Sequence, residues 1–332
     1  MNKIAVIGDG GWGTALALVL TANGHSVAVW GPFPDYIREI RERRENRKFL
    51  PGVPLPSGIR WTDKLQEAVA GAEAVVLAVP SRYFRHTVAG LALSLRSDRI
   101  PVLSVTKGLD EHTRQRMSQV AQEALGTGPV AALSGPSLAA EVARGVPTAV
   151  TIACADHARA EALQRLFNSP VFRVYTSDDV IGVELGGALK NVIALAAGVC
   201  DGIGFGDNAK AALITRGLAE MSRLGRAMGA NPRTFAGLSG LGDLVVTCAS
   251  RLSRNRGVGE RLGRGESLEV ILQSMQQVAE GVWTCGAARD LARSLDVEVP
   301  ITEEVCAVVH EGKNPRRAVE DLMARDPKPE RD

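Results

Sequence analysis

Short apolar runs alternate with helical patterns along the first half of the chain. The runs fall at Lys3 to Gly8, Ser26 to Trp30, Ala74 to Val79, Pro101 to Val105, Val130 to Leu133, Ala149 to Ala153 and Val171 to Thr176. A unit of strand then helix, repeated, is the pattern of a parallel sheet wrapped by helices. Several runs, Ala74-Val75-Val76-Leu77-Ala78-Val79 above all, lack polar alternation, as expected of strands covered on both faces. From Asp179 the pattern changes: Leu185, Leu189, Val192, Ile193 and Ala196 recur at spacings of three and four, and glycine-rich loops replace strands. The fold class expected is α/β plus all-α, with one domain over residues 1–180, a helical one over 181–325, and a charged, proline-bearing tail over 326–332 that frays.

Composition narrows this picture without redirecting it. At 332 residues, 45% hydrophobic and 23% charged, the chain can bury a core of about two-domain size. Its net charge of +2 implies no general attraction to nucleic acid or membrane, so any anion recognition must be local. The N-terminal apolar run is too short for a signal peptide, and no stretch reads as long and uncharged enough to cross a bilayer. Five widely spaced cysteines without a C-x-x-C pair argue against disulfides and fit a reducing cytoplasm. Five histidines without partners at ligand spacing make a metal site unexpected.

The chemistry-bearing segments begin directly after the first strand, where Gly8-Asp9-Gly10-Gly11-Trp12-Gly13 matches G-x-G-x-x-G and leads into a helix. Gly8 permits the tight turn, Gly10 lets backbone approach a pyrophosphate, Gly13 allows close packing of helix and strand, and the helix N-terminus offers N–H groups to the anion. A lone glycine motif can be a mere turn; its place between strand and helix at the head of the chain makes it a dinucleotide site on a Rossmann-type, doubly wound sheet. After the second strand comes Gly31-Pro32, with neither an acid for a ribose nor an arginine for a 2′-phosphate. The missing basic residue tilts the cofactor towards NAD over NADP, while Arg38 remains able to fold back.

Lys190 shares a helix face with Gly186, Gly187, Ile193, Ala194 and Ala197. Such a lysine either snorkels to solvent or lies by a cavity, where desolvation lowers its pKa and suits it to act as a base at a hydroxyl. The neighbouring glycines would let a substrate come close. Residues 248–259 carry three arginines, two serines and two glycines, which read as a solvated basic loop or as an oxyanion grip. Ser134-Gly135-Pro136-Ser137 at a strand end is either a plain helix cap or part of the crevice that Thr106-Lys107-Gly108 also faces.

Taken in order, Gly-Asp-Gly-Gly-Trp-Gly-Thr-Ala-Leu-Ala, Thr106-Lys107-Gly108-Leu109, Ser134 to Ser137, Glu184 to Asn191, Gly240-Leu241-Gly242-Asp243-Leu244 and Ser253-Arg254-Asn255 closely resemble the bacterial NAD(P)-dependent glycerol-3-phosphate dehydrogenase family, from residue 4 to about residue 320. The resemblance implies interconversion of glycerol 3-phosphate and dihydroxyacetone phosphate by hydride transfer, a supply of glycerol 3-phosphate for phospholipids, and a cytoplasmic homodimer. It implies that Lys190 accepts the proton, that Lys107, Gly135, Ser137, Asp243, Ser253, Arg254 and Asn255 surround a phosphorylated substrate, and that Gly11, Trp12, Lys107, Ala139, Arg254, Val278 and Glu280 lie near cofactor. Gly31-Pro32 departs from the family's usual arginine. Two other readings remain open on sequence: a dehydrogenase of another hydroxy acid or phosphate, and a non-catalytic NAD(H) sensor.

Overall fold

The computed structural model describes residues 1–95, 100–126, 128–327 and 329–330. Its strands are β1 (Lys3–Ile7), β2 (Ser26–Trp30), β3 (Glu45–Asn46), β4 (Leu50–Pro54), β5 (Ile59–Thr62), β6 (Ala74–Leu77), β7 (Val102–Ser104), β8 (Ala131–Ser134), β9 (Thr148–Ala153) and β10 (Phe172–Ser177). Eight of them form one sheet in the order β10-β9-β8-β7-β6-β1-β2-β5, and β3 and β4 form a small antiparallel hairpin. From β5 to β8 all pairings are parallel. The strand order reverses between β1 and β6, which opens a crevice at the carboxyl ends of those strands.

The sheet departs from the expected parallel arrangement at one edge, and three short strands are unexpected. The strands β8 and β9 are antiparallel, and β10 runs parallel to β9, so the last two strands point the other way. The connection from β8 to β9 contains only the five-residue helix Ala139–Ala143, too short to recross the sheet, so the chain turns back instead. Edge strand β5 and the hairpin escape a reading by apolar runs because they are short and interrupted by Pro51, Gly52, Pro54, Pro56 and Gly58.

Apolar side chains fill both faces of the sheet: Val6, Leu16, Val29 and Ile152 lie in one layer, and Ile7, Leu77, Phe84 and Val102 in the other. The sheet ends at Ser177 and the helix Val180–Ile203 begins the helical part. That helix has a mean hydropathy of 1.6 over its most apolar window, so by length and composition it could cross a membrane, contrary to the sequence reading. Its surroundings explain the composition: 83% of that window is buried, chiefly under the helices Asp207–Ala227, Arg254–Gly263 and Glu280–Ser294. Glu184 on its first turns accepts from the Ser118 N–H (2.8 Å) and pairs with Arg116, fixing the helix against the sheet domain. At the C-terminus, residues 326–327 and 329–330 carry no helix or strand, and the Glu330 carbonyl accepts from Arg216 (3.2 Å); Lys328, Arg331 and Asp332 of the expected tail lie outside the described residues.

Candidate active site

The glycine turn is built as the motif requires. Gly8 has φ +128°, and a Cβ there would fall 2.7 Å from the Ala78 carbonyl, so the first position admits only glycine. A Cβ on Gly13 would lie 2.2 Å from the Gly8 carbonyl oxygen, which shows how closely the helix Gly11–Ala22 packs on the turn. Gly10 faces open space, with nothing within 4 Å of a Cβ position. The helix N-terminus therefore opens onto a cradle with room at Gly10, and Trp12 Nε1 and Asp9 Oδ2 beside it are buried polar atoms without partners. Free N–H groups, room at Gly10 and an orphaned indole donor fit a dinucleotide. Gly11 packs against the Phe49 carbonyl and near Ala139, which brings Ala139 to the loop.

At the same end of the sheet a second site is made of charge. Lys107 follows β7, and its Nζ donates to the Gly135 carbonyl (3.0 Å), Ser137 Oγ (3.3 Å) and Asp243 Oδ2 (2.6 Å). Gly135 follows β8 with φ +140°, a conformation that turns its carbonyl towards this lysine. Lys190, 6% exposed, donates to Asp243 Oδ1 and to Thr247 Oγ1 (2.7 Å). Asp243, 1% exposed, thus bridges two ammonium groups. It opens the helix Asp243–Ala249 directly after a single π-helical turn, Leu238–Gly242, where a Cβ on Gly240 would lie 2.0 Å from the Phe235 carbonyl. Burial pulls the Lys190 pKa down to about 8, opposed by the Asp243 charge and assisted by that of Lys107. The two lysines hold the Asp243 carboxyl below its ordinary range in spite of its burial.

Lys190 is therefore neither a snorkelling surface lysine nor flanked by glycines that admit a ligand. Gly186 packs on the Ser239 carbonyl and Gly187 on Ser134 Oγ and Lys107, so both serve protein contacts rather than substrate approach. The basic segment also resolves differently from a loop. Ser253 caps the helix Arg254–Gly263, its Oγ accepting from the Arg256 N–H, and Gly257 and Gly259 lie within that helix. Gly259 lets it press onto the Leu195 carbonyl. Of the three arginines, Arg251 is exposed and Arg256 pairs with Asp201 (2.6 Å). Arg254 donates to the Val278 carbonyl (2.8 Å), and Glu280, two residues on, accepts from the Ser81 N–H (3.0 Å) and hydroxyl. Arg254, Val278 and Glu280 thus form a group of their own, and Arg254 has no bond to the Lys190 cluster. Asn255 bridges the two groups: its Nδ2 donates to Asn191 Oδ1 (2.9 Å), its Oδ1 accepts from the Gly281 N–H (2.9 Å), and Asn191 in turn donates to the Lys107 carbonyl (3.3 Å).

Sequence reasoning missed Thr247 and Ser81, gave Asn191 no role, and left Ser134 between a helix cap and the crevice. Thr247 stands one turn after Asp243 on the same helix face. Ser81 and Ser134 lie at carboxyl ends of strands, where a doubly wound sheet gathers its ligand groups. Among the described residues no cluster could hold a metal ion, and all five cysteines are free and buried.

Comparison with known proteins agrees with this geometry. Residues 3–160 match the family described as NAD-dependent glycerol-3-phosphate dehydrogenase N-terminus, and residues 179–320 its C-terminus counterpart. A glycerol-3-phosphate dehydrogenase [NAD(P)+] of Geobacter metallireducens is 52% identical, covering 99% of each chain. That of Geobacillus kaustophilus is also 52% identical, covering 100% of this chain and 97% of its own length. The crystal structure of glycerol-3-phosphate dehydrogenase from Coxiella burnetii superposes with a TM-score of 0.94 at 38% identity, over 98% of this chain and 99% of the other. On these matches along both halves, the chain belongs to the NAD-dependent glycerol-3-phosphate dehydrogenase family.

Proposed function

We infer that the protein interconverts sn-glycerol 3-phosphate and dihydroxyacetone phosphate with NAD(P)(H), and so supplies glycerol 3-phosphate for phospholipid synthesis. The observation that carries this reading is the enclosed Lys190 amine, with its pKa near 8, joined through Asp243 to Lys107 at the carboxyl end of the sheet. An ammonium has three donors, and Asp243 and Thr247 occupy two, leaving one for the C2 oxygen of substrate. In the direction of reduction Lys190 gives its proton to that oxygen; in oxidation it takes the proton away. A pKa near working pH lets one group serve both directions. Bound nicotinamide supplies or accepts the hydride.

The other residues position and neutralise. Asp243 holds both ammonium groups in place, and Lys107 adds a second positive charge beside the oxyanion or phosphate. Gly135, Ser137, Ser253, Arg254 and Asn255 complete the substrate's surroundings, with Arg254 as the phosphate partner. Gly8, Gly10, Gly11, Trp12, Gly13, Lys107, Ala139, Arg254, Val278 and Glu280 border the cofactor. In this reading residues 1–180 bind dinucleotide, residues 181–325 bind substrate and carry the proton, and the enzyme works as a cytoplasmic homodimer. The test is loss of reduced-nicotinamide absorbance when dihydroxyacetone phosphate is added to purified protein with NADH or NADPH. Turnover is expected. Nucleotide binding with no loss of absorbance would mark a sensor, and faster turnover of a hydroxy or keto acid would mark another dehydrogenase.

A further inference from the structure

The ribose position after β2 looks empty of recognition in the sequence, since Gly31-Pro32 offers neither acid nor base. The structure fills it from another segment. Asp9, the variable residue between the first two glycines of the turn, is 7% exposed, and its carboxylate lies against Gly31. A Cβ on Gly31 would sit 2.4 Å from Asp9 Oδ2 and 2.5 Å from its Cγ, so the absent side chain at position 31 is the space the Asp9 carboxylate occupies. Gly8 N–H donates to the Trp30 carbonyl (2.9 Å), which keeps the ends of β1 and β2, and hence Asp9 and Gly31, in register.

The rest of the local network leaves Asp9 Oδ2 unused. Asn46 Nδ2 donates to the Asp9 backbone carbonyl (2.7 Å) and to Thr14 Oγ1 (2.7 Å), tying down the main chain and not the carboxylate. The oxygen Oδ2 is buried without a hydrogen-bond partner. Burial raises the Asp9 carboxyl to about 6, opposed by a bond from its own backbone N–H and by the charge of Lys48. A buried orphan acceptor of this kind is costly unless a ligand completes it. In a doubly wound sheet the end of β2 is where the adenosine ribose hydroxyls are read, and an acid there accepts from the 2′-hydroxyl.

Two cations near this end of the sheet already have contacts of their own. Arg38 pairs with Asp35 in solvent. The Lys48 ammonium sits over the rings of Phe49, Tyr36 and Phe33 at 5.1, 5.9 and 6.0 Å.

We propose that Asp9 is the ribose reader of this enzyme: from the glycine turn it accepts from the 2′-hydroxyl of NAD(H) and repels the 2′-phosphate of NADP(H), with Gly31 kept small to make room for it. The proposal rests on the dehydrogenase reading above for the presence of a dinucleotide, and it narrows NAD(P) to NAD. Its test is direct binding of NADH and NADPH to the full chain, by calorimetry, without substrate. The wild-type protein should bind NADH at least about tenfold more tightly, the scale of one hydrogen bond to a charged group. Asp9→Asn, nearly isosteric, should remove the repulsion and bring NADPH affinity up towards that of NADH. Asp9→Ser should weaken NADH about tenfold, leave NADPH no weaker, and raise the melting temperature of the nucleotide-free protein at neutral pH by removing the unpaired carboxylate. Should Asp9→Ser fail to fold, Asp9→Asn alone carries the comparison.

Equal affinity for the two nucleotides in the wild type, tighter NADPH through Lys48, or a ratio unmoved by either variant would overturn the proposal. Binding of neither nucleotide would sink the dehydrogenase reading and this one with it. Preferential NADH binding without turnover of dihydroxyacetone phosphate would sink the substrate assignment while leaving Asp9 as the reader.

Discussion

At the glycine turn the protein presents backbone and empty space, whereas at the Lys107–Asp243–Lys190 cluster a few ångströms of interior hold three formal charges. Both lie at the carboxyl ends of parallel strands, yet they are assembled in opposite ways. The turn comes from six consecutive residues, four of them glycines. The cluster comes from segments separated by 53 to 136 positions, and only the packing of the long helix on the sheet brings them together. A site made of backbone tolerates little change in shape, and a site made of buried charge tolerates little change in charge.

Removing the amine should give the largest effect. Lys190→Ala is expected to cut kcat for dihydroxyacetone phosphate reduction by about 10²–10⁴-fold, the range of a lost acid–base group. Nucleotide affinity, measured separately, should hardly change, because the glycine turn does not depend on Lys190. Asp243 keeps Lys107 as partner, so the variant should still fold. Normal turnover would remove Lys190 from the mechanism.

Taking away the shared carboxylate tests the charge side of the comparison through stability. Asp243→Ala leaves two neighbouring ammonium groups unpaired, Lys190 with a side chain only 7% exposed. Breaking a buried pair from one side costs about 3–5 kcal/mol, so denaturant unfolding should show a loss of that size. Unchanged stability would mean that water already shares these charges.

The two glycines then separate packing from ligand contact within the turn. Gly13→Ala places a methyl 2.2 Å from the Gly8 carbonyl and should cost about 1–3 kcal/mol of stability. Gly10→Ala meets nothing within 4 Å and should leave unfolding within about 0.5 kcal/mol of wild type. Its methyl projects into the cradle, however, so NADH should bind at least about tenfold more weakly, with an effect near 1.4 kcal/mol. If both variants behave alike, the cradle has been placed on the wrong side of the loop.

The same contrast explains what was legible in the sequence. Local pattern reveals β1, the turn and its helix, because the strand period, the glycine spacing and the helix start are all set by neighbours in the chain. It also locates the long helix and the lysine on it. It does not reveal that β9 runs back beside β8, which depends on where a five-residue helix lets the chain go. Nor does spacing reveal that Asp243 bridges Lys107 and Lys190: the pairing of the three is a property of the folded packing, and only the resemblance marked Asp243. Gly259 shows the opposite error, a residue suited by composition to an anion loop that in fact serves helix packing against Leu195.

The smallest effect, and the one that most sharpens the comparison, is a pH dependence carried by Lys190. Its pKa is depressed to about 8 from the ordinary 10.5, with burial the largest cause. Reduction needs the ammonium, so kcat/KM in that direction should be level below about pH 8 and fall towards tenfold per unit above it. Oxidation needs the free amine, and should rise to about pH 8 and then level off. A depressed folded-state pKa also means that the unfolded chain holds the extra proton between about 8 and 10.5, so on account of this group stability rises with pH across that window. Asp243→Asn, which removes the charge that favours the ammonium, should move the kinetic inflection to lower pH in both directions. Reduction that accelerates through this range, or an inflection that stays in place when Asp243 is neutralised, would assign the transferred proton to a group other than Lys190.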